Sequence, residues 1–166
     1  MSGLLRRFAG LGLLPIAAMI ATPSAQASSG CWDDDAVTAA RVMEFQIAMM
    51  VATLRCTALN FNLESDFKRF AEANKPALKE ADLRLKKQFG DAGKGVNVGY
   101  QNYQTKVSNR HSIRDATVPT CSLFRDVAAE LGKDQTSAAT LTSFANALIP
   151  EPLLDGARCV RTVSAQ

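Results

Sequence analysis

The sequence predicts an all-α fold, an irregular up-and-down helical bundle stapled by two disulfides. Three observations carry that expectation. Apolar residues recur at three-four spacing in one segment after another, no segment alternates with period two over a strand's length, and four cysteines follow an export-type leader. The chain contains no internal repeat.

In the leader, Arg6 and Arg7 precede an apolar run from Phe8 to Ile20, then Pro23 and the small residues Ala25 and Ala27. That is the layout of a secretory signal peptide. The run is shorter than the ~20 residues needed to span a bilayer and Pro15 interrupts it, so a retained anchor is disfavoured. Phe8 directly after the paired arginines fits a Tat signal poorly, and Sec export is expected. Cleavage is expected after Ala27, dividing the chain into a signal peptide, 1–27, and a single helical domain, 28–166. Ser28-Ser29-Gly30-Cys31 is a degenerate version of the lipoprotein cleavage site. Ser28 stands where Leu is usual, and lipidation of Cys31 would leave an odd number of cysteines, so an unlipidated chain is expected while the lipid on Cys31 stays open.

The leader carries two of the 19 basic residues and none of the 16 acidic ones, which leaves the mature domain a net charge of about +1. It has no run of five like charges. A basic arm for nucleic acid or anionic lipid is therefore missing, and neither a nucleic-acid partner nor an integral membrane segment is expected in the mature chain. Its length suits one domain with a real core, which the disulfides would reinforce rather than replace.

The first helix is expected over Asp35 to Cys56, with Asp33, Asp34 and Asp35 supplying a cap and favourable charge at its start. Ala40, Met43, Ile47, Met50 and Leu54 form one apolar row, and Val42, Phe45, Met49 and Cys56 a second. Only a thin polar stripe of Arg41, Glu44 and Arg55 remains, which places this helix at the centre of the bundle. A second segment starts at Asn62 and shows Phe67, Phe70 and Ala71 on one side. Pro76 then opens a third helix to Phe89, with Leu78, Ala81, Leu85 and Phe89 inward and Gly90 as its stop.

Glycines 90, 93, 95 and 99 mark Gly90 to Gly99 as the main flexible loop. Gly93-Lys94-Gly95 lacks the Ser or Thr of a phosphate loop, and no strand precedes it. Tyr100, Tyr103 and Val107 predict a fourth helix, broken at Thr117-Val118-Pro119. Thr120 is expected to cap a short fifth helix with Leu123, Phe124, Val127 and Leu131 on its apolar face and Gly132 at its end. Ala138, Leu141, Phe144, Ala145 and Leu148 predict the last helix, followed by Pro150, Pro152 and a tail containing Cys159.

Four cysteines allow three pairings. A straight helix rising ~1.5 Å per residue between Cys31 and Cys56 holds them more than ~30 Å apart, against the ~7 Å that a disulfide tolerates. If the chain runs up, down and up again before Thr120, Cys121 returns to the end that holds Cys56. The expected pairs are Cys56 with Cys121 and Cys31 with Cys159. Without a C-x-x-C pair or any short-range ligand pair, redox and zinc chemistry are disfavoured.

Candidate chemistry is sparse. His111, the only histidine, has Ser112, Asp115 and Tyr103 nearby in sequence, but no nucleophile elbow presents a serine, so it is expected as a solvated surface residue. Glu44 is expected to pair with Arg41 one turn earlier on the polar stripe. Met43, Met49 and Met50 could suggest copper, but their spacing is that of core packing. No catalytic residue, metal or cofactor is expected. Tyr100 and Tyr103, beside the glycine loop, are the candidates for a recognition surface, with ordinary packing as the competing account.

The leader, Cys31-Trp32, Leu54-Arg55-Cys56 and the stretch Asn74 to Phe89 together resemble a group of small exported four-cysteine helical bacterial proteins of unknown function. The resemblance covers about half the chain and implies no activity. Ala81-Asp82-Leu83-Arg84-Leu85 is similar to a segment of helical lysozyme inhibitors of the LprI type, although the cysteine spacing differs. The expectation is an exported, periplasmic or secreted, non-enzymatic protein acting through contacts with an unknown envelope protein. Inhibition of an envelope hydrolase such as lysozyme is the first alternative and a small periplasmic enzyme the second. Oligomeric state stays open.

Overall fold

The computed structural model describes residues 30–90, 95–113, 115–133 and 136–160. The expected leader, its cleavage site and residues 91–94 of the glycine loop lie outside them. The described chain is all-α and stapled by two disulfides. Its helices are α1 (Asp34–Cys56), α2 (Glu64–Ala73), α3 (Lys75–Gln88), α4 (Val98–Ser112), α5 (Val118–Leu131) and α6 (Ala138–Leu148), with a 3-10 turn at Thr57–Leu59.

α1 starts where Asp33 accepts a hydrogen bond from Ala36 N at 2.8 Å, satisfying one of the amides that a helix start leaves unpaired. It packs against each of the other helices, which cover most of its two apolar rows. Phe45, Met49, Ala36 and Ala40 are buried along it. The helix is long and apolar enough to cross a membrane by those criteria alone, yet 56 % of that apolar stretch is buried inside the bundle. The apolar rows do not stay covered to the end, because Met50 is 41 % and Leu54 72 % exposed. Among the described residues no helix covers the outer side of Leu54.

α2 and α3 are separated only by Asn74, whose buried side-chain amide donates to Phe70 O at 2.8 Å and to Leu131 O at 2.7 Å. That second bond ties the α2–α3 corner to the end of α5. The backbones approach so closely there that a Cβ on Gly132 would lie 2.9 Å from Ala128 O and 3.1 Å from Arg69 Cβ. α3 stops at Gly90, which takes the left-handed conformation at φ 79°. α4 begins earlier than expected. Asn97 caps it by accepting from Tyr100 N, and its amide donates back to Gly90 O at 2.6 Å, so Gly99 belongs to the helix rather than to the loop.

At α5 the capping residue is Thr117, not Thr120. Its side chain accepts from Thr120 N, and Val118 and Pro119 form the first turn instead of breaking the chain. Proline is tolerated there because the first-turn amides have no helical acceptor in any case. Leu123, expected on the buried face, is exposed, whereas Val127 and Leu131 are buried.

The disulfides join distant ends. Cys56, closing α1, bonds to Cys121 in the first turn of α5, with alpha carbons 5.7 Å apart. Cys31, before α1, bonds to Cys159 in the tail, with alpha carbons 4.9 Å apart. Beside the second bond, Trp32 N donates to Ala157 O at 2.8 Å and Cys159 N donates to Trp32 O at 2.9 Å. This isolated bridge closes the tail over Trp32, whose ring packs against Phe89 and Tyr103.

Candidate functional site

The polar centre of the bundle is Glu44, wholly buried on α1. Its Oε1 accepts from His111 Nε2 at 2.9 Å and lies 3.3 Å from an Arg110 guanidinium nitrogen. Its Oε2 accepts the backbone amide of Leu153 at 2.6 Å. A buried carboxylate is tolerated when its lone pairs are filled by donors and a cation stands beside it. The expected Arg41 pairing does not occur. Arg41 instead donates to Ile149 O, Asn146 Oδ1 and Pro150 O, binding carbonyls that the end of α6 leaves without helical donors.

His111 is accordingly not a solvated surface residue. α4 turns it inward onto Glu44, and its side chain is 11 % exposed. Ser112 points elsewhere and donates to Ser108 O, so no hydroxyl from that neighbour meets the imidazole. Tyr100 and Tyr103 do not form a surface either, being 3 % and 1 % exposed. They belong to an aromatic cluster with Phe89 and Trp32. Burial holds both phenols well above the usual tyrosine range, reinforced for Tyr100 by the hydrogen bond to Asp82 and for Tyr103 by the charge of Glu44. The Tyr103 hydroxyl has no hydrogen-bond partner among the described residues. Met43 and Met49 are core residues, whereas Met50 is not. Among the described residues no three His, Cys, Asp or Glu side chains are grouped to hold a metal.

The stretch from Ala81 to Leu85 is engaged internally. Ala81 and Leu85 are buried, Asp82 accepts from Tyr100 and Lys86, and Arg84 grips the α1 cap Asp33 at 2.6 Å.

The surface that remains available lies at the Cys56–Cys121 end. Met50, Leu54, Leu59, Ile113, Val118 and Leu123 are exposed there, while Leu83, Val96, Val98 and Val160 lie toward the other end. Under this surface is a cavity of 220 Å³ between α1, the start of α5 and the end of α6, walled by Phe45, Ala48, Ala52, Phe124 and Leu148, with Arg55, His111 and Asp115 also on its lining. A shallow hollow beside it shares Arg55 and Asp115 and adds Leu54 and Leu59. Sequence reasoning missed this site. Its lining comes from four helices and the segment between α4 and α5, and only the excess of apolar positions on the last turns of α1 hinted at it. Comparisons with family models, with curated proteins and with solved structures return no match to this chain.

Proposed function

We propose that this is an exported, periplasmic or secreted, non-enzymatic protein that acts by contact, presenting the Cys56–Cys121 end of its bundle to an envelope protein with a complementary apolar face. The observation that carries the reading is that Met50, Leu54, Leu59 and Leu123 are exposed and line adjoining hollows at that end, Met50 beside Leu54, Leu54 beside Leu59, and Leu123 on the cavity that shares Arg55 with the hollow of Leu54 and Leu59. Exposed apolar side chains scattered singly are ordinary, but a cluster at one pole is the signature of a contact surface. The disulfides support export, since such bonds persist in oxidising compartments.

The test is photo-crosslinking in intact cells, with the label placed in turn at Leu54, Leu123 and, as a control at the other end, Leu83. The expected result is one discrete hetero-adduct from Leu54 and Leu123, none from Leu83, and loss of the Leu123 adduct when Leu54→Lys is added. Equal labelling from all three positions, or none, overturns the reading. So does an adduct of this chain with itself, which would make the surface a dimer interface.

A further inference from the structure

The cavity beneath this surface has features that protein contact alone does not require. Its floor is built from buried side chains of α1, among them Phe45, Ala48 and Ala52, and its opening is flanked by Arg55 and Asp115. Arg55 is half-buried, yet its guanidinium makes no hydrogen bond or ion pair among the described residues, its backbone carbonyl alone accepting from Thr57 N. Its position in the last turn of α1 explains why a cation is favoured there, but it leaves the guanidinium donors without an acceptor. The other buried or half-buried cations of the bundle that face acceptors use them: Arg41 binds the end of α6, Arg84 binds Asp33 and Arg110 binds Glu44.

We infer that this cavity is a ligand site for a small apolar monocarboxylate, its hydrocarbon part seated against Phe45, Ala48 and Ala52 and its carboxylate received by Arg55. Size sets the class. An apolar cavity of about 150 Å³ is known to take benzene, so 220 Å³ accommodates a single ring with a short arm or a chain of roughly six to eight carbons. Charge sets the head group. A planar guanidinium with free donors matches a carboxylate in bidentate fashion. The Phe45, Ala48 and Ala52 floor offers no donor to a second carboxylate at the far end of the chain, so dicarboxylates are rejected. His111 does not compete for the carboxylate through Nε2, because that nitrogen is on Glu44. The inference goes beyond the contact function and stands or falls separately from it.

The same chemistry has two sources, a free acid or the terminal carboxylate of a peptide ending in an apolar residue. Binding is measured on the oxidised mature protein, residues 28–166, by calorimetry and by methyl chemical-shift changes. The probes are octanoate, octanol, suberate, and an acetylated tripeptide ending in Phe with a free or an amidated terminus. Saturable octanoate binding that shifts the Ala48 and Ala52 methyls is expected, with octanol weaker by about tenfold through the loss of one charge-assisted contact and suberate weaker through the burial of a second, unpaired charge. Arg55→Gln should weaken octanoate by a similar factor, Asp115→Asn should tighten it, and Ala52→Leu should abolish it by filling the cavity. Preference for the free-terminus peptide over octanoate identifies a chain end as the source, and preference for octanoate identifies a free acid. Octanoate and octanol binding equally, Arg55→Gln leaving affinity unchanged, shifts confined to the outer surface, or no saturation at millimolar concentration each overturn the inference. A lost crosslink at Leu54 with octanoate binding intact would remove the contact function alone.

Discussion

His111 Nε2 and Glu44 Oε1 lie 2.9 Å apart across 67 residues of sequence, in the interior between α1 and α4. With Leu153 N on the other carboxylate oxygen, Glu44 holds three parts of the chain together: the central helix, α4 and the C-terminal tail. Glu44→Ala should therefore remove an acceptor from several donors at once and destabilise the domain by about 3–5 kcal/mol. His111→Ala removes one donor and should cost about 1–2 kcal/mol. Chemical denaturation monitored by circular dichroism measures both. A Glu44→Ala variant as stable as the parent would mean the carboxylate is not the internal tie the geometry describes. His111→Ala should also leave the Leu54 crosslink in place, since the imidazole faces Glu44.

Tyr100 and Tyr103 are the only tyrosines in the chain, so ultraviolet titration of phenolate reports on them alone. Burial raises both above the ordinary tyrosine value of 10.0. Raised folded-state values mean that the unfolded chain releases these protons first. The stabilising contribution is whole below about pH 10 and is lost as pH climbs beyond it. Phenolate absorbance should stay absent past the usual tyrosine midpoint and then rise together with loss of the helical signal. A smooth titration centred near pH 10 in protein that remains helical would place at least one ring in solvent.

The α2–α3 corner and the end of α5 meet without spare volume. Gly132→Ala places a methyl within 3.2 Å of Phe70 N as well as against Ala128 O, and overpacking against backbone should cost about 1–3 kcal/mol. Asn74→Ala withdraws the buried amide donor of Leu131 O, leaving that carbonyl the longer contact from the Thr136 hydroxyl at 3.2 Å, and should cost a similar amount, about 1–3 kcal/mol. Because both changes act on one junction, the double variant should lose less than the sum of the two. Thermal melts of the four proteins complete the cycle, and strict additivity would separate the two features.

The helices were legible because three-four apolar spacing and Gly or Pro punctuation are local signals, and each of the six elements lies close to where those signals put it. The polar centre was not legible. Arg41 and Glu44 share a stripe on α1, and spacing along one helix cannot show that Arg41 turns to the carbonyls of Ile149 and Pro150 while Glu44 waits for α4. Tyr100 and Tyr103 follow a glycine-rich stretch, which suggests a surface, but the rings pack against Phe89 and, for Tyr103, Trp32, and Trp32 is held by backbone bonds to the distant tail. The cavity fails for the same reason. Phe45, Leu123 and Leu148 read as separate core positions until three helices bring them to one space.

The two disulfides close loops of different size and restrain different parts of the molecule. Cys56–Cys121 spans 65 residues and Cys31–Cys159 spans 128; chain entropy assigns them about 4 and about 5 kcal/mol respectively. Packing suggests how the losses should be distributed. Cys56 and Cys121 are themselves buried beside Ala52 and Leu63, so Cys56→Ser with Cys121→Ser adds polar groups to a small apolar cluster and should disturb the cavity that Ala52 lines. Cys31→Ser with Cys159→Ser instead frees the tail that covers Trp32 and supplies Leu153 N to Glu44. Both pairs should lower the melting temperature while the helical signal survives, because the core along α1 does not depend on either bond. Tryptophan emission distinguishes them, since Trp32 is the only tryptophan. A red shift is expected on losing Cys31–Cys159 and none on losing Cys56–Cys121. A red shift of equal size in both variants would show that the two ends of the bundle open as one unit.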